Sequence, residues 1–247
     1  MGMRFAIDIN ADVGEGVGNE PHLMPYLASC NIACGGHAGD RTSMREVIIL
    51  AKAYGVKIGA HPSFPDKEHF GRQVLDISAA DLYSSLKGQI RNLMEITREQ
   101  DTVLHHVKPH GALYNLVAKD QRTARVVLEV IKSISMPLKL YAPYNSMIAK
   151  MAKQEGIPVI YEAFADRNYI DDLSLVSRQH QQALITKKEA VFKHLFYMVQ
   201  HEKVKTLSGG EVPIKASTFC LHSDTENSVE IAQYLSMKFK ENNIKIQ

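Results

Sequence analysis

Cysteine is scarce in this chain of 247 residues, and the three present, Cys30, Cys34 and Cys220, exclude two common uses of the residue. Three thiols cannot all pair as disulfides, and they lack the repeated close spacing of a zinc ribbon. Reduced thiols in a cytoplasmic protein are expected, with Cys30 and Cys34 as small core residues. Net charge is scarce as well. Lys and Arg total 29 against 27 Asp and Glu, so a formal charge of +2 gives no electrostatic drive toward nucleic acid or an anionic membrane. No run reaches the ~18 apolar residues of a membrane span. The opening MGMRFAIDIN lacks signal-peptide architecture and the hydroxyl residue of a myristoylation motif. A soluble, untargeted protein acting on a small molecule is the expectation. No linker, repeat or low-complexity tract interrupts the chain, and 45% hydrophobic content suits one domain over residues 1–247.

What is present is an alternation. Short apolar runs at 5–9, 31–33, 57–60, 103–107, 138–141, 159–163 and 215–221 read as strands. Segments of helical period lie between them, such as Met44, Val47, Ile48 and Ala51, or Leu82, Leu86, Ile90 and Leu93. Helix starts are marked by Asp40, by Ser78 with Asp81, and by Thr186 with Glu189. The pattern predicts a parallel sheet covered by helices.

The strands carry a second pattern. Side chains two apart share a face, so Asp8, Asn10 and Asp12 point one way, as do His106, Lys108 and His110, and Cys220, His222 and Asp224. Lys57, Gly59 and His61 repeat the parity, and Glu162 closes the sixth strand before Asp166 and Arg167. Polar groups gather toward the C-terminal strand ends, where α/β folds place their sites, and a barrel would bring those ends into one mouth. Two chemistries fit. Asp12, His61 and His110 are a carboxylate and two imidazoles from different strands, a candidate set for a divalent metal with open positions. Without a metal, Asp8, Asp12, Glu15 and Glu162 supply carboxylates whose repulsion and burial raise some pKa values, balanced by His61, His110 and Lys108. Nucleotide signals are weak. GEGVG at 14–18 matches no phosphate-binding fingerprint and is flanked by acids, and LSGGE at 207–211 reads as a hairpin or turn.

The blocks DINADVGEG, NIACGGHAGD, GAHPSFPDKEHFGR, HHVKPHGALYN and EAFADRNYIDDLSLVSR, in this order, resemble the A-subunit family of 5-oxoprolinase, also called LamB/YcsF, and STFCLHSD extends the likeness to nearly the whole chain. The resemblance implies a distorted (β/α)7 TIM-like barrel of the glycoside hydrolase/deacetylase type. It also implies ATP-dependent opening of 5-oxoproline to L-glutamate in the cytoplasm, with ATP as co-substrate and subunits B and C as partners; homo-oligomerisation is left open. ATP would be wanted because a lactam is a poor electrophile until its oxygen is phosphorylated. On that expectation Asp12 or Glu15 activates water or accepts a proton, while His61, Lys108 and His110 stabilise the oxyanion or the transferred phosphate. Arg72 and Arg167 pair with substrate carboxylate or phosphate. Asn10, His37, Glu162, Asp166, His222 and Asp224 complete the expected substrate contacts.

Alternatives are a metal-dependent deacetylase or amidohydrolase acting on a carbohydrate or small amide, and a non-catalytic binding subunit. The chain departs from the family pattern at Gly36, where an aromatic is usual, at Arg41 in place of proline, and at Asp172 and Ser223 in place of glycines. Gly36 predicts a wider pocket wall beside His37.

Overall fold

A computed structural model describes residues 5–247. Strand β1 (Phe5–Val13) leads through a short helix α1 (Glu20–Leu23) and a 3-10 turn to β2 (Ser29–Ala33), α2 (Arg41–Tyr54) and β3 (Lys57–His61). Then follow α3 (Ala79–Glu99), β4 (Leu104–Val107), α4 (Gly111–Val117), α5 (Gln121–Lys132), β5 (Lys139–Pro143), α6 (Met147–Gln154) and β6 (Val159–Phe164). A long connection reaches α7 (Lys188–His201), the hairpin β7 (Lys203–Lys205) and β8 (Glu211–Pro213), then β9 (Thr218–Cys220), α8 (Ser228–Glu241) and β10 (Ile244–Ile246).

Seven strands close into a parallel barrel in the order β1-β2-β3-β4-β5-β6-β9, because β9 pairs both with β6 and with β1. Closure is in register: Thr218 lies opposite Glu162 on one side and Asp8 on the other. Each apolar run read as a strand falls on one of these seven. No sequence pattern marks β10, which pairs with the first residues of β1, Phe5 opposite Ile244. The LSGGE stretch is the turn of the β7–β8 hairpin.

The helices bury the stripes their periods define. Leu82, Leu86, Ile90 and Leu93 of α3 are all buried against the barrel wall, each contributing about 1.5–3 kcal/mol of transfer free energy. Asp40 caps α2, accepting from Ser43 N in a capping box, and the Ser78 hydroxyl accepts from Asp81 N at the start of α3. The third start signal is displaced: α7 begins after Lys187 with no side-chain cap, so Thr186 stands one residue too early to cap it.

The interior is polar where barrel interiors are usually branched and apolar. One cause is local. The β3–β4 register shifts between Ile58 and Gly59, so that Ile58 faces Leu104 but Gly59 faces His106. That extra residue seats His106 against Gly59. Its ring fits only because residue 59 has no side chain: a Cβ there would lie 2.1 Å from His106 Nε2. Nε2 is also tied to Asn31 Oδ1 at 2.7 Å, so the ring cannot retreat without losing a buried hydrogen bond. Gly59→Ala is expected to cost at least about 1–3 kcal/mol by overpacking, read as a lower urea midpoint at unchanged m-value.

Candidate active site

The first stretch of the chain explains the site best, because three acids stand within eight residues there, Asp8, Asp12 and Glu15. They occupy three heights in the barrel. Asp8, at the bottom, accepts from Ser29 Oγ at 2.7 Å and Thr218 Oγ1 at 2.6 Å, with Lys57 Nζ at 3.4 Å. Burial outweighs these partners and raises its pKa. One layer up, Asn10 Nδ2 donates to Glu162 Oε1 at 2.9 Å and Thr218 Oγ1 at 2.7 Å. Asn31 Nδ2 donates to Asn10 Oδ1 at 2.7 Å and Asp12 Oδ1 at 2.8 Å.

Lys108 crosses the barrel at this level. Its fully buried ammonium lies 2.9 Å from both Asp12 Oδ1 and Glu162 Oε1, and 3.1 Å from Cys220 Sγ. Burial opposes its charge, but the three acidic neighbours win and hold its pKa well above the usual lysine range. Burial likewise works against ionised Asp12, yet the charges of His61 and Lys108 hold that carboxyl well below its ordinary value.

The top layer is a cluster. Glu15 Oε1 is 2.8 Å from His37 Nε2, 3.4 Å from His110 Nδ1 and 3.8 Å from His61 Nε2. His37 stacks flat on His110 with centroids 3.6 Å apart. Burial, then the nearby Asp12 charge, raises the Glu15 pKa. Burial and the charge of His61 push His37 down to about 3 and His110 well below the imidazole range. The glycines around Glu15 make this approach possible: Gly14, Gly16 and Gly18 all have φ between 72° and 83°, the left-handed region open to glycine.

Asp12, Glu15 and His110 line a cavity of about 740 Å³ at the barrel mouth. Its far side is built by the connection after β6 and by His222. The ring of His222 is fixed by Asp166, which accepts from Nδ1 at 2.9 Å, from His222 N at 3.0 Å and from Thr225 Oγ1 at 2.6 Å. Although burial alone would raise the Asp166 pKa, the charge and hydrogen bonds of His222 lower it. His222 Nε2 keeps no partner among the described residues.

The arginines are placed differently. Arg72 stands at the rim, 2.9 Å from Asp224 Oδ2 and over the Phe70 ring, and Arg178 shares the same carboxylate at 3.2 Å. Arg167 lines the cavity but spends two donors on its own loop, Nη2 to Val176 O at 2.6 Å and Nε to Ala183 O at 3.3 Å.

All fourteen side chains singled out in the sequence, Asp8 among them, lie in this network or at its rim. Ser29, Asn31, His106, Cys220 and Thr225 belong to it too, and Tyr114 lines the cavity; none was assigned a role. Ser29 and Asn31 share strand parity, but the apolar run that marks their strand begins only at Asn31. Tyr114 carried no signal, because in α4 it reads as an apolar position.

Three of the four departures from the family pattern have local explanations. Gly36 does not widen the pocket. A Cβ there would meet Ser63 Oγ at 2.3 Å and Gln89 Oε1 at 2.4 Å, so the side chain of Gln89 takes up the space. Asp172 keeps negative φ and accepts from Ser174 N at 2.7 Å, while Leu173 adopts the left-handed conformation at φ 66°. Arg41 ion-pairs with Glu95 and Glu99 on α3.

Residues 7–247 match the family described as LamB/YcsF. The chain belongs to the LamB/YcsF family. As a LamB/YcsF member it is 39% identical over 240 residues to a Haemophilus influenzae (strain PittEE) protein named as the A subunit of 5-oxoprolinase, covering 97% of this chain and 98% of that one. It is 40% identical over 246 residues to a protein of the same name from Limosilactobacillus fermentum, covering 98% of each. Among solved structures, the lactam utilization protein of Thermus thermophilus superposes with a TM-score of 0.91 at 34% identity, over 98% of this chain and 99% of that one. Among the described residues of this LamB/YcsF chain, no helix is long and apolar enough to cross a membrane.

Proposed function

We propose that this chain is the A component of an ATP-dependent 5-oxoprolinase, opening the lactam of 5-oxoproline to L-glutamate together with B and C subunits. The observation that carries the reading is end-to-end similarity, 39–40% identity over 97–98% of the chain, to relatives named for that activity. The site supplies suitable chemistry. Its cavity of about 740 Å³ exceeds what a five-membered ring needs, leaving room for a phosphoryl group or a partner's residues.

The lactam resists water because its nitrogen lone pair is delocalised into the carbonyl. Phosphorylation of the oxygen by ATP, with release of ADP, leaves a C=N imidate whose carbon accepts water. The C–N bond then breaks as the nitrogen takes a proton, and the resulting acyl phosphate hydrolyses to a carboxylate and inorganic phosphate.

Glu15 is the better proton acceptor for the incoming water, since burial raises its pKa while Asp12 is committed to Lys108, Asn31 and His61. Lys108 lies behind Asp12 and Glu162, which line the cavity, and its positive charge offsets negative charge that develops on a substrate oxygen there. His222, oriented by Asp166 through Nδ1, suits protonation of the departing nitrogen from Nε2 when its ring is the imidazolium. Arg72 at the rim suits the substrate carboxylate.

A second reading, amide hydrolysis without ATP, has one observation behind it: Glu15, His37, His61 and His110 bring four ligand-type atoms together. The deciding assay measures phosphate release dependent on 5-oxoproline, with this chain alone and then with B and C. Release only in the mixture is expected. Turnover of a simple amide by this chain without ATP would favour the second reading, and no turnover in any combination would count against both.

A further inference from the structure

His61 and His110 are each held by a backbone carbonyl on the nitrogen remote from the other ring. His61 Nδ1 lies 2.8 Å from Lys108 O, and His110 Nε2 lies 2.9 Å from Phe70 O. A carbonyl only accepts, so both of these nitrogens carry their hydrogen. In the neutral rings, His61 Nε2 and His110 Nδ1 are therefore bare lone pairs, and they face each other at 3.0 Å. Two further acceptors point at the same spot. Glu15 Oε1 is 3.4 Å from His110 Nδ1, and Asp12 Oδ2 is 3.3 Å from His61 Nε2.

With both rings neutral, four acceptors converge here and call for positive charge, supplied either by a proton on His61, the charge that favours ionised Asp12, or by a metal ion. A proton shared between the two rings would satisfy only the line joining them. An ion with bonds of about 2.0–2.1 Å in tetrahedral array sets its ligand atoms about 3.3–3.4 Å apart, and the separations of 3.0, 3.4 and 3.8 Å among His61, His110 and Glu15 bracket that spacing. Imidazoles that donate their other N–H to a carbonyl are the usual outer arrangement of metal-bound histidine. Here it is accompanied by His37, whose Nε2 donates to Glu15 at 2.8 Å and holds the carboxylate in place.

We propose that His61 Nε2, His110 Nδ1 and Glu15 Oε1 bind one divalent transition-metal ion of the zinc type, with Asp12 Oδ2 alongside and an open position facing the cavity; the second Glu15 oxygen is left for the proton-accepting role. This replaces the set read from the sequence, Asp12, His61 and His110: Asp12 is drawn off by Lys108 and Asn31 through its other oxygen, and Glu15 takes its place. Two imidazoles with one carboxylate select zinc-like ions over magnesium or calcium, which prefer all-oxygen shells. Such an ion would supply Lewis acidity at the mouth. The assignment does not depend on the lactam as substrate, because it is tested on this chain alone without substrate or nucleotide.

The full chain is stripped with a chelator and titrated with cobalt(II) and zinc(II), following heat by calorimetry and the visible absorption of cobalt. One equivalent is expected, with a low-symmetry cobalt spectrum and a higher melting temperature. His61→Gln and His110→Gln should each weaken binding by roughly a hundredfold or more, since even outer-shell losses cost about 10–100-fold, while exposed His180→Ala leaves it unchanged. His37→Ala, which loosens Glu15 without removing a ligand, should weaken binding by about tenfold and serves if the glutamine variants do not fold. No stoichiometric uptake, or uptake insensitive to these substitutions, would overturn the assignment. So would nitrogen NMR showing a proton shared between His61 and His110 that zinc does not displace.

Discussion

Lys108→Met is expected to destabilise the protein by about 3–5 kcal/mol, the usual consequence of removing one member of a buried ion pair. The ammonium is 2% exposed and sits 2.9 Å from each of two carboxylates that are themselves buried. Methionine fills much of the same volume, so the loss is electrostatic: two buried carboxylates, Asp12 and Glu162, are left without the ammonium that lies between them. The pH dependence separates this cause from a packing defect. In the intact protein the Asp12 carboxyl lies well below its unfolded value of about 3.9, so its contribution to stability is complete above that value and lost as pH falls through the folded one. Without the ammonium its pKa rises, the folded variant takes up a proton sooner, and the deficit relative to the parent shrinks as pH falls from neutrality toward about 5. Urea denaturation at several pH values reads this directly; a deficit constant with pH would assign the loss to packing instead.

The second large effect falls on turnover. With B and C present, Glu15→Gln is expected to lower 5-oxoproline-dependent phosphate release by about 10²–10⁴-fold, the range for loss of a positioned proton acceptor. The amide still accepts from His37 Nε2, so the cluster keeps its shape and KM should change little. Asp12→Asn makes the comparison decisive. It also removes a charge that Lys108 needs, so it should reduce both rate and stability, whereas Glu15→Gln should reduce rate while leaving the stability of the metal-free protein near the parent's. Near-normal turnover in the Glu15 variant, with loss confined to Asp12→Asn, would move the proton-accepting role to Asp12.

The barrel strands were legible because apolar runs that are buried on the helix-facing side read without ambiguity, and the parity of Asp8, Asn10 and Asp12 marked an inward polar face that the structure preserves. Other features were not legible. β10 follows α8 closely and spans only Ile244–Ile246, too short for a period to register. Parity put His106 on the face of Lys108, but the register shift that seats it opposite Gly59 while Leu104 lies opposite Ile58 is a property of two strands and not of either sequence. Gly36 looked like missing bulk at the pocket wall until Gln89, contributed by a helix more than fifty residues away in sequence, proved to fill that space.

By itself the sequence determined which residues are polar on which strand face, and so that a barrel built from them would carry acids, imidazoles and one lysine through its middle. Local chemistry suffices for that, because strand parity is set by the backbone pleat. Only the tertiary structure decided who meets whom. Closure of β9 onto β1 and β6 brings Cys220 and Glu162 to Lys108, so Lys108 claims one oxygen of Asp12. The left-handed turn after Val13 lifts Glu15 to the height of His37, His61 and His110. Two backbone carbonyls, at Phe70 and Lys108, then fix which nitrogen of each ring is bare, and no side-chain pattern encodes a carbonyl's direction.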